Sequence, residues 1–333
     1  GSRGLGDVYK RQLQKKAKGR GGEWNGGDVT WTGEDTNDHI EKWMKSMGML
    51  VPESDVQDQK RLDECIIVGG CIGNNFILAK NRDRKFLPTI EIVRKLSKSG
   101  IEMVLMYDKR TQYVEGMNQF GIGIINSTLL NEEDSQAEGG YNNRQGNIIH
   151  RALCSRSLDE AIGILSTHSG GIEGHTLVAD PLRMYHVELT RGKSAYVEQL
   201  DPKTGWDART NHGIHYSEAG YMPRDGMIYM SSNYRKAMAE IELNNADSPA
   251  KVMSLLRQQH NDPQSHLNMH RRVPKEAEDH GGFMTTNQIA MDLSDLHFYF
   301  HCYTKFCDFQ DIKDLTPEDY DAQIKITVTQ SDH

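Results

Sequence analysis

The sequence predicts an α+β fold in which antiparallel sheets pack together and are covered by helices. Clusters of short apolar runs are joined by turns rich in glycine and asparagine, which is typical of hairpins. Other segments carry apolar residues at helical spacing and predict surface helices. The predicted strands are 65–70, 75–81, 101–107, 111–117, 120–126, 174–180, 184–190, 193–199, 206–211, 283–291, 295–301 and 324–329. The predicted helices are 87–98, 145–153, 157–166, 232–244 and 248–260.

The first predicted hairpin brings a cysteine and an aspartate together. Cys65 opens one apolar run, and Asn81-Arg82-Asp83 closes the next; the residues between them have turn chemistry: Gly69, Gly70, Gly73, Asn74 and Asn75. The hairpin can return Asp83 to Cys65, since 83 − 65 = 18 positions separate them. A thiol beside a fixed carboxylate at the start of a sheet indicates a nucleophile. Taken alone, however, Cys65 is interpreted more simply as a core cysteine.

The later helices carry start signals of their own. Ser157 provides a hydroxyl cap, and Asp159 and Glu160 follow near the positive end of the helix dipole. Upstream, residues 38–47 form a short amphipathic pattern that ends before Pro52. We find no internal repeat.

Three regions are predicted along the chain. Residues 1–30 are rich in glycine and lysine and predict a disordered basic arm. Residues 31–64 predict a linker or propeptide, and residues 65–333 predict one catalytic domain. A solvated arm is favoured over nucleic-acid binding; if the arm did bind nucleic acid, deleting residues 1–30 would abolish that binding.

Composition limits the class of protein. The chain has 333 residues, 37% of them hydrophobic, a formal net charge of −8 and a mean hydropathy of −0.66. Its longest apolar run is short and interrupted, so no membrane span is expected, and the negative body makes nucleic acid an improbable partner. Five cysteines are an odd number for a disulfide framework and favour a reducing, cytoplasmic setting. The sequence leaves a homo-oligomer possible.

Several motifs, in order, resemble one enzyme superfamily. After Cys65 come residues 115–123 (EGMNQFGIG), 177–180 with 185–188 (LVAD, YHVE), 209–212 (RTNH) and 231–235 (SSNYR). Together they resemble the N-terminal-nucleophile (Ntn) hydrolases, in particular the penicillin acyltransferase (acyl-coenzyme A:6-aminopenicillanic acid acyltransferase) family and the choloylglycine hydrolase and penicillin V acylase group. The resemblance covers roughly residues 65–330. It implies a four-layer αββα sandwich of two antiparallel sheets flanked by helices.

The resemblance implies that the precursor cuts itself between Glu64 and Cys65. The freed α-amine, with a reference pKa of about 7.7–8.0, can then accept the thiol proton. Three residues depart from the family pattern: Ile66 stands where Thr is usual, Glu64 where Gly is frequent, and Lys80 where bile-salt hydrolases have Arg.

Further roles are expected for four side chains. Asp83 would orient the amine or thiol of Cys65, and Asn211 would donate to the oxyanion, with Asn126 as a second oxyanion candidate. Arg235 would pair with Asp83 or with a substrate carboxylate. Each has an ordinary alternative, as a turn residue or a surface arginine.

The expected substrate-binding residues are His212 and Arg82. Arg82 and Arg84 are expected on the strand face opposite Asp83, in structural or rim positions. No metal and no cofactor is expected: His266 and His270 lie four positions apart with His260 near, but they lack the acidic residue of a HExxH motif.

The predicted function is that of a self-processing cysteine enzyme that cleaves a non-peptide linear amide of a small-molecule acyl substrate through a Cys65 thioester. Water would complete hydrolysis, and a second amine would complete acyl transfer. Two alternatives remain: a cysteine dipeptidase-like or NRDE-type relative, suggested by residues 79–83 (AKNRD), and a non-catalytic descendant of the fold, suggested by Glu64 and Ile66.

Overall fold

A computed structural model describes residues 63–84, 90–108, 113–129, 143–167, 173–190, 192–258, 267–271, 284–302 and 324–327. The strands are β1 (Asp63–Ile72), β2 (Asn75–Arg84), β3 (Ile90–Leu96), β4 (Glu102–Asp108), β5 (Tyr113–Asn118), β6 (Gly123–Ser127), β7 (Gly174–Ala179), β8 (Met184–Leu189), β9 (Tyr196–Leu200), β10 (Asp207–Arg209), β11 (Met284–Asp292), β12 (His297–Cys302) and β13 (Ile324–Thr327). The α-helices are α1 (Asn143–Leu153), α2 (Leu158–Thr167), α3 (Met227–Glu242) and α4 (Pro249–Leu256).

These strands form two antiparallel sheets. Among the described residues, the first sheet has six strands in the order β10-β1-β2-β11-β12-β13, and the second has seven in the order β3-β4-β5-β6-β7-β8-β9. The second sheet is therefore a run of sequential neighbours, whereas the first joins strands from both ends of the described chain. This long-range pairing brings the first hairpin next to residues more than 200 positions away.

Three apolar clusters define the layers. The central cluster packs Ile67 and Leu78 of the first sheet against Met106 and Leu177 of the second. A second cluster packs α1 and α2 on the outer face of the second sheet; its members include Ile124, Val178, Ile149 and Leu165. A third packs α3 and α4 on the outer face of the first sheet; its members include Ile66, Ala79, Ala239 and Leu255. The order of layers is helix, sheet, sheet, helix, which confirms the predicted four-layer α+β sandwich.

The β1–β2 hairpin sets the direction of the side chains near Cys65. Cys65 pairs with Arg82, and Glu64 pairs with Asp83. Side chains alternate along a strand, and Ile67 belongs to the central cluster whereas Ile66 belongs to the helix-facing cluster. The thiol of Cys65 therefore lies between the sheets, and the carboxylates of Glu64 and Asp83 lie under the helices.

Gly116, in the predicted GMN motif, marks a close approach between strands. It pairs with Leu105 on one side and Ile124 on the other. A Cβ at position 116 would lie 2.0 Å from the carbonyl oxygen of Val104. Only glycine fits there without displacement of a neighbouring strand.

All twelve predicted strands are present, with ends shifted by a few residues, and so are four of the five predicted helices. Ser157 caps α2 as expected, because its hydroxyl accepts the N–H of Glu160 at 3.3 Å. The predicted helix at 87–98 is wrong. Residues 90–96 form the edge strand β3, where Ile90 and Val93 pair with β4, because β-branched residues fit a pleated edge better than a helix.

The predicted arm (1–30), the 38–47 helix and nearly all of the predicted propeptide lie outside the described residues; Asp63 and Glu64 are described and belong to β1. Among the described helices, none is long and apolar enough to cross a membrane.

Candidate active site

Polar side chains contact every functional atom of Cys65. Its N–H donates to Oδ1 of Asn211 at 3.2 Å, and its carbonyl oxygen accepts from Nη1 of Arg235 at 3.5 Å. Nη1 of Arg84 lies 3.7 Å from the sulfur. Cys65 is only 2% exposed, so water does not dominate its surroundings. Two of these contacts are to the backbone of Cys65, and one is to its sulfur.

A stripe of cations follows β2 on the same face as the thiol. Lys80, Arg82 and Arg84 occupy alternate positions and are all buried. Lys80 forms an ion pair with Glu115, and Arg82 pairs with Asp108 at 3.3 Å. The thiol therefore faces a row of three cationic side chains, two of which are paired with carboxylates of the second sheet.

Tyr113, on β5 of the second sheet, contacts this row of cations. The Arg82 guanidinium lies 4.7 Å from the centre of its ring, and its hydroxyl donates to Oε1 of Glu115 at 3.0 Å. Burial, with Glu115 adding to the effect, raises the pKa of Tyr113 well above its usual value. Tyr113 is therefore a neutral phenol and a hydrogen-bond donor near neutral pH.

A second charged cluster lies on the helix-facing side of the sheet. Arg235 of α3 and Arg271 both bind Oε2 of Glu64, at 2.9 and 2.6 Å, and the Tyr221 hydroxyl donates to its other oxygen. The same arginines approach Oδ2 of Asp83, at 3.4 and 3.8 Å. Two carboxylates and two guanidinium groups thus neutralise one another in a buried site.

Burial and ion pairing oppose each other in this cluster. Burial raises the pKa of the Asp83 carboxyl, and Arg271, Arg235 and the hydroxyl of Thr285, which donates at 2.6 Å, act in the opposite direction. Burial and the nearby Arg271 lower the pKa of Arg235. The partners of Asp83 and Arg235 thus favour the charged form of each group against the cost of burial.

Asp83 and the thiol of Cys65 lie on opposite faces of the sheet. The connection between them runs through Arg235, whose Nη1 contacts Asp83 Oδ2 and the carbonyl oxygen of Cys65. The structure thus brings Asp83 to the backbone of Cys65 rather than to its sulfur. Arg82 and Arg84 do lie on the face opposite Asp83, but in buried positions rather than at a rim.

The TNH and SSxxR motifs form one hydrogen-bonded unit. Ser232 accepts the N–H of Asn211 at 2.9 Å, and its carbonyl accepts the hydroxyl of Thr210 at 2.9 Å. Nδ1 of His212 lies 2.8 Å from the Ser232 hydroxyl. The loop that carries Asn211 is thereby fixed to the helix that carries Arg235.

Asn211 acts as a double acceptor. Its Oδ1 binds Cys65 N–H and also accepts from Nη2 of Arg235 at 3.2 Å, while its Nδ2 donates to the carbonyl of Thr128 at 3.0 Å. In this uncleaved chain the amide oxygen of Asn211 thus holds the backbone nitrogen of Cys65, and its amide nitrogen binds Thr128.

Asn126 and His212 bind partners other than Cys65, whereas Arg82 is the cross-strand neighbour of Cys65. The Nδ2 of Asn126 donates to the carbonyl of His175 and the hydroxyl of Thr176, at 3.1 and 3.0 Å, so it points along the second sheet. The His212 ring is buried, and burial lowers its pKa well below the usual value. Each of these side chains already has partners within the described part of the chain.

A buried histidine pair lies behind His212. Nε2 of His175 donates to the carbonyl of His212 at 2.8 Å, so its Nδ1 accepts from Nε2 of His186 at 2.9 Å. Burial lowers the pKa of His175 to about 3 and that of His186 well below its usual value. Both rings are therefore neutral, and their proton positions are fixed by their partners.

His175, His186 and Glu188 are the one group among the described residues whose ligand atoms lie within 4.8 Å of one another, as a metal ion requires. The two imidazoles already share a hydrogen bond. The Glu188 carboxylate accepts the backbone N–H groups of residues 214–216. These hydrogen bonds of the Glu188 carboxylate fix the loop following Asn211.

Sequence reasoning missed four site residues and undervalued one. Arg271, Tyr221 and Thr285 complete the Glu64–Asp83 cluster, and Glu115 pairs with Lys80. Arg84, predicted in a structural or rim position, contacts the sulfur. The strand alternation of Lys80, Arg82 and Arg84 carried a signal, whereas Arg271 and Tyr221 lie in irregular segments without a pattern.

No family profile matches the chain. No curated protein sequence matches it either. Among solved structures, a mutant of conjugated bile acid hydrolase from Clostridium perfringens is similar at 12% identity and a TM-score of 0.45, with 72% of this chain and 89% of that chain covered. Penicillin V acylase from Agrobacterium tumefaciens is similar at 12% identity and 0.44, with 72% and 82% covered. The likeness is one of overall architecture.

Proposed function

We propose that this chain is a self-processing cysteine amidase that acts on linear amides of small acyl compounds. The observation that carries the proposal is the set of contacts around Cys65: Arg84 at the sulfur, Asn211 at the nitrogen and Arg235 at the carbonyl oxygen. A nucleophile that also supplies its own base needs all of these atoms held in one geometry.

Self-cleavage begins with attack of the Cys65 sulfur on the carbonyl carbon of Glu64. The C–N bond breaks, the Cys65 nitrogen takes up the thiol proton, and the Glu64 carbonyl becomes a thioester. Water then cleaves the thioester, giving the main-chain α-carboxylate of Glu64 and the free thiol of Cys65. Asn211 already binds the nitrogen that becomes the α-amine.

In turnover, the α-amine accepts the thiol proton as the sulfur attacks a substrate carbonyl, and returns it to the leaving amine. Asn211 and Asp83, the latter through Arg235, would keep this amine in place. One N–H of Asn211 Nδ2 donates to Thr128, and the second N–H would donate to an oxyanion; Asn126 is a second oxyanion candidate. His212 fixes the Asn211 loop from behind, and Arg82 would give positive charge to the pocket wall.

The proposal is tested by the intact mass of purified protein. The wild-type chain is expected to split between Glu64 and Cys65, and Cys65→Ala is expected to stay whole. Cys71→Ala is the matched control, because Cys71 is a partly exposed cysteine in the same strand, and it should split like wild type. A wild-type chain that stays whole after long incubation contradicts the proposal. If the chain splits, p-nitroanilides of simple acids then report hydrolysis, and an added amine reports acyl transfer.

A second candidate is a relative that keeps the fold without cleavage. One observation favours it: the Glu64 carboxylate is buried and bound by Arg235, Arg271 and Tyr221, so the uncleaved strand is already well satisfied. This candidate predicts an unprocessed wild-type chain.

A further inference from the structure

The three donors around Glu64 form a built carboxylate pocket. Arg235 and Arg271 bind Oε2, and the Tyr221 hydroxyl binds Oε1. The carboxylate is 1% exposed, and its three partners are at most 4% exposed. A carboxylate bound by two guanidinium groups and a phenol away from water is held by charge-assisted hydrogen bonds, each about twice as strong as a neutral one.

The donors are themselves fixed by the surrounding structure. Nη2 of Arg271 donates to the Ser231 hydroxyl at 2.8 Å, and its backbone N–H donates to Thr285 at 2.9 Å. Arg235 projects from α3 and is bound to Asp83 and Asn211. The pocket therefore does not depend on Glu64 alone for its shape.

Self-cleavage would remove the carboxylate and leave the pocket. Glu64 precedes the cleavage point, whereas all three donors follow it. Among the residues that the structure describes, these two guanidinium groups face two carboxylates with Glu64 present and one without it. Loss of Glu64 therefore removes one negative charge from a buried place, and an anion is the group that restores it.

Glu64 also occupies the acyl position of the reaction. In self-cleavage its carbonyl carbon becomes attached to the Cys65 sulfur, as the acyl carbon of a substrate does in turnover. Glu64 has three carbons between this carbonyl carbon and its carboxylate carbon. A glutaryl group, ⁻OOC–(CH2)3–C(=O)–, has the same spacing.

Resting on the proposed function, we propose that the processed enzyme is selective for amides whose acyl group is a short dicarboxylate of the glutaryl type. The Cys65 sulfur bonds to the glutaryl carbonyl carbon, the amide C–N bond breaks, and the amine leaves with the thiol proton. Water then cleaves the thioester to glutarate and the free thiol. The distal carboxylate meanwhile occupies the pocket of Arg235, Arg271 and Tyr221.

The test uses processed protein and measures how far a carboxylic acid protects Cys65 from alkylation by iodoacetamide, with the site resolved by mass spectrometry. Glutarate and pentanoate are compared because both have five carbons and differ by one carboxylate. Glutarate is expected to protect at concentrations about 10- to 100-fold lower than pentanoate. This ratio corresponds to the roughly 1.5–3 kcal/mol that a hydrogen bond to a charged group contributes. The expected result also includes a matching preference in kcat/KM for glutaryl over pentanoyl p-nitroanilide.

Two variants connect the preference to the pocket. Arg271→Gln and Tyr221→Phe are expected to reduce the glutarate-to-pentanoate ratio by about tenfold and about threefold. Their matched controls are Arg183→Gln, at a surface ion pair with Asp159, and Tyr216→Phe, whose hydroxyl binds the exposed Ser194 carbonyl. Both controls should leave the ratio unchanged. Because the readout is a ratio within one protein, a general loss of stability does not imitate it.

The outcomes separate the two proposals. If the chain splits but glutarate and pentanoate protect equally, or neither protects, the carboxylate pocket is overturned and the cysteine amidase stands. The carboxylate pocket is also overturned if wild type prefers glutarate over pentanoate and Arg271→Gln keeps the same preference. If the chain never splits, the proposed function fails, and the pocket proposal fails with it because Glu64 remains in place.

Discussion

The backbone N–H of Cys65 donates to the side-chain oxygen of Asn211 at 3.2 Å, although 146 positions separate the two residues. The same oxygen accepts from Arg235. The nitrogen that would become an α-amine is therefore already bound by a fixed acceptor in the uncleaved chain. Such preorganisation lowers the cost of forming the reactive geometry.

Asn211→Ala is expected to slow self-cleavage by about 10- to 100-fold, because it removes a buried acceptor that also binds a guanidinium group, a contact worth roughly 1.5–3 kcal/mol. The split is followed by intact mass over time. Asn244→Ala is the control, since Asn244 only donates to helix carbonyls at the surface. Equal rates for Asn211→Ala and wild type would show that the contact has no part in cleavage.

Arg84→Met is expected to slow alkylation of Cys65 by about fivefold, because a guanidinium near the sulfur stabilises negative charge there and a contact of roughly 1 kcal/mol is lost. Iodoacetamide labelling, read at the Cys65 peptide, measures the effect. Arg94→Met serves as the control, because Arg94 is exposed and pairs with Glu102 at the sheet edge. If both variants label at the wild-type rate, Arg84 does not act on the thiol.

Arg235→Met is expected to lower the free energy of unfolding by about 3–5 kcal/mol, because it leaves Glu64 and Asp83 buried with one cation fewer. Urea unfolding in a Cys65→Ala background, where processing cannot occur, measures it. Arg183→Met removes an exposed ion pair with Asp159 and should cost about 0–1 kcal/mol. A loss of less than 1 kcal/mol for Arg235→Met would mean that the buried cluster is not stabilising as described.

Much of this site could be predicted because its parts lie in contiguous motifs. Cys65, Asp83, Asn211 and Arg235 were all singled out from local sequence, and they meet through direct or bridged hydrogen bonds. The pattern of hairpins and helices predicts an α+β fold, whereas the four-layer order followed from the family resemblance. The prediction of a helix at 87–98 is wrong. Ile90, Val93 and Leu96 recur every three residues, which resembles helical spacing, but the segment pairs with β4 as a strand.

The face of the sheet on which the Asp83 side chain lies could not be predicted, because it depends on the register of the hairpin. Residues 73 and 74 form the turn, and Gly73 has a φ of 61°. This register pairs Cys65 with Arg82. A shift of one residue would exchange the faces of the strand. Arg271 and Tyr221 were missed for a different reason: their segments are held by long-range backbone contacts, of residue 271 with Thr285 and of Tyr221 with Asn211.

Gly116→Ala is expected to lower the free energy of unfolding by about 1–3 kcal/mol, because the added Cβ would overlap the Val104 carbonyl and overpack the sheet. Gly163→Ala is the matched control: Gly163 lies within α2 with nothing within 4 Å of its would-be Cβ. Alanine there should raise stability by about 0.5–1 kcal/mol. Urea unfolding in the Cys65→Ala background measures both, and an equal effect in the two variants would contradict the close approach of β4 and β5.

The buried histidines predict a loss of stability in mild acid. Burial lowers the pKa of His175 to about 3 and the pKa values of His186 and His212 well below 6.5. Below about pH 6.5 the unfolded chain therefore binds protons that the folded chain does not, so the free energy of unfolding falls as pH falls, by about 1.4 kcal/mol per pH unit for each histidine. His186→Gln keeps a donor for Nδ1 of His175 and should make this slope shallower by about 1.4 kcal/mol per unit. Urea unfolding of the Cys65→Ala protein at pH 7.5, 6.0 and 5.0 measures the slope. An unchanged slope in His186→Gln would show that this ring is not held neutral by the fold.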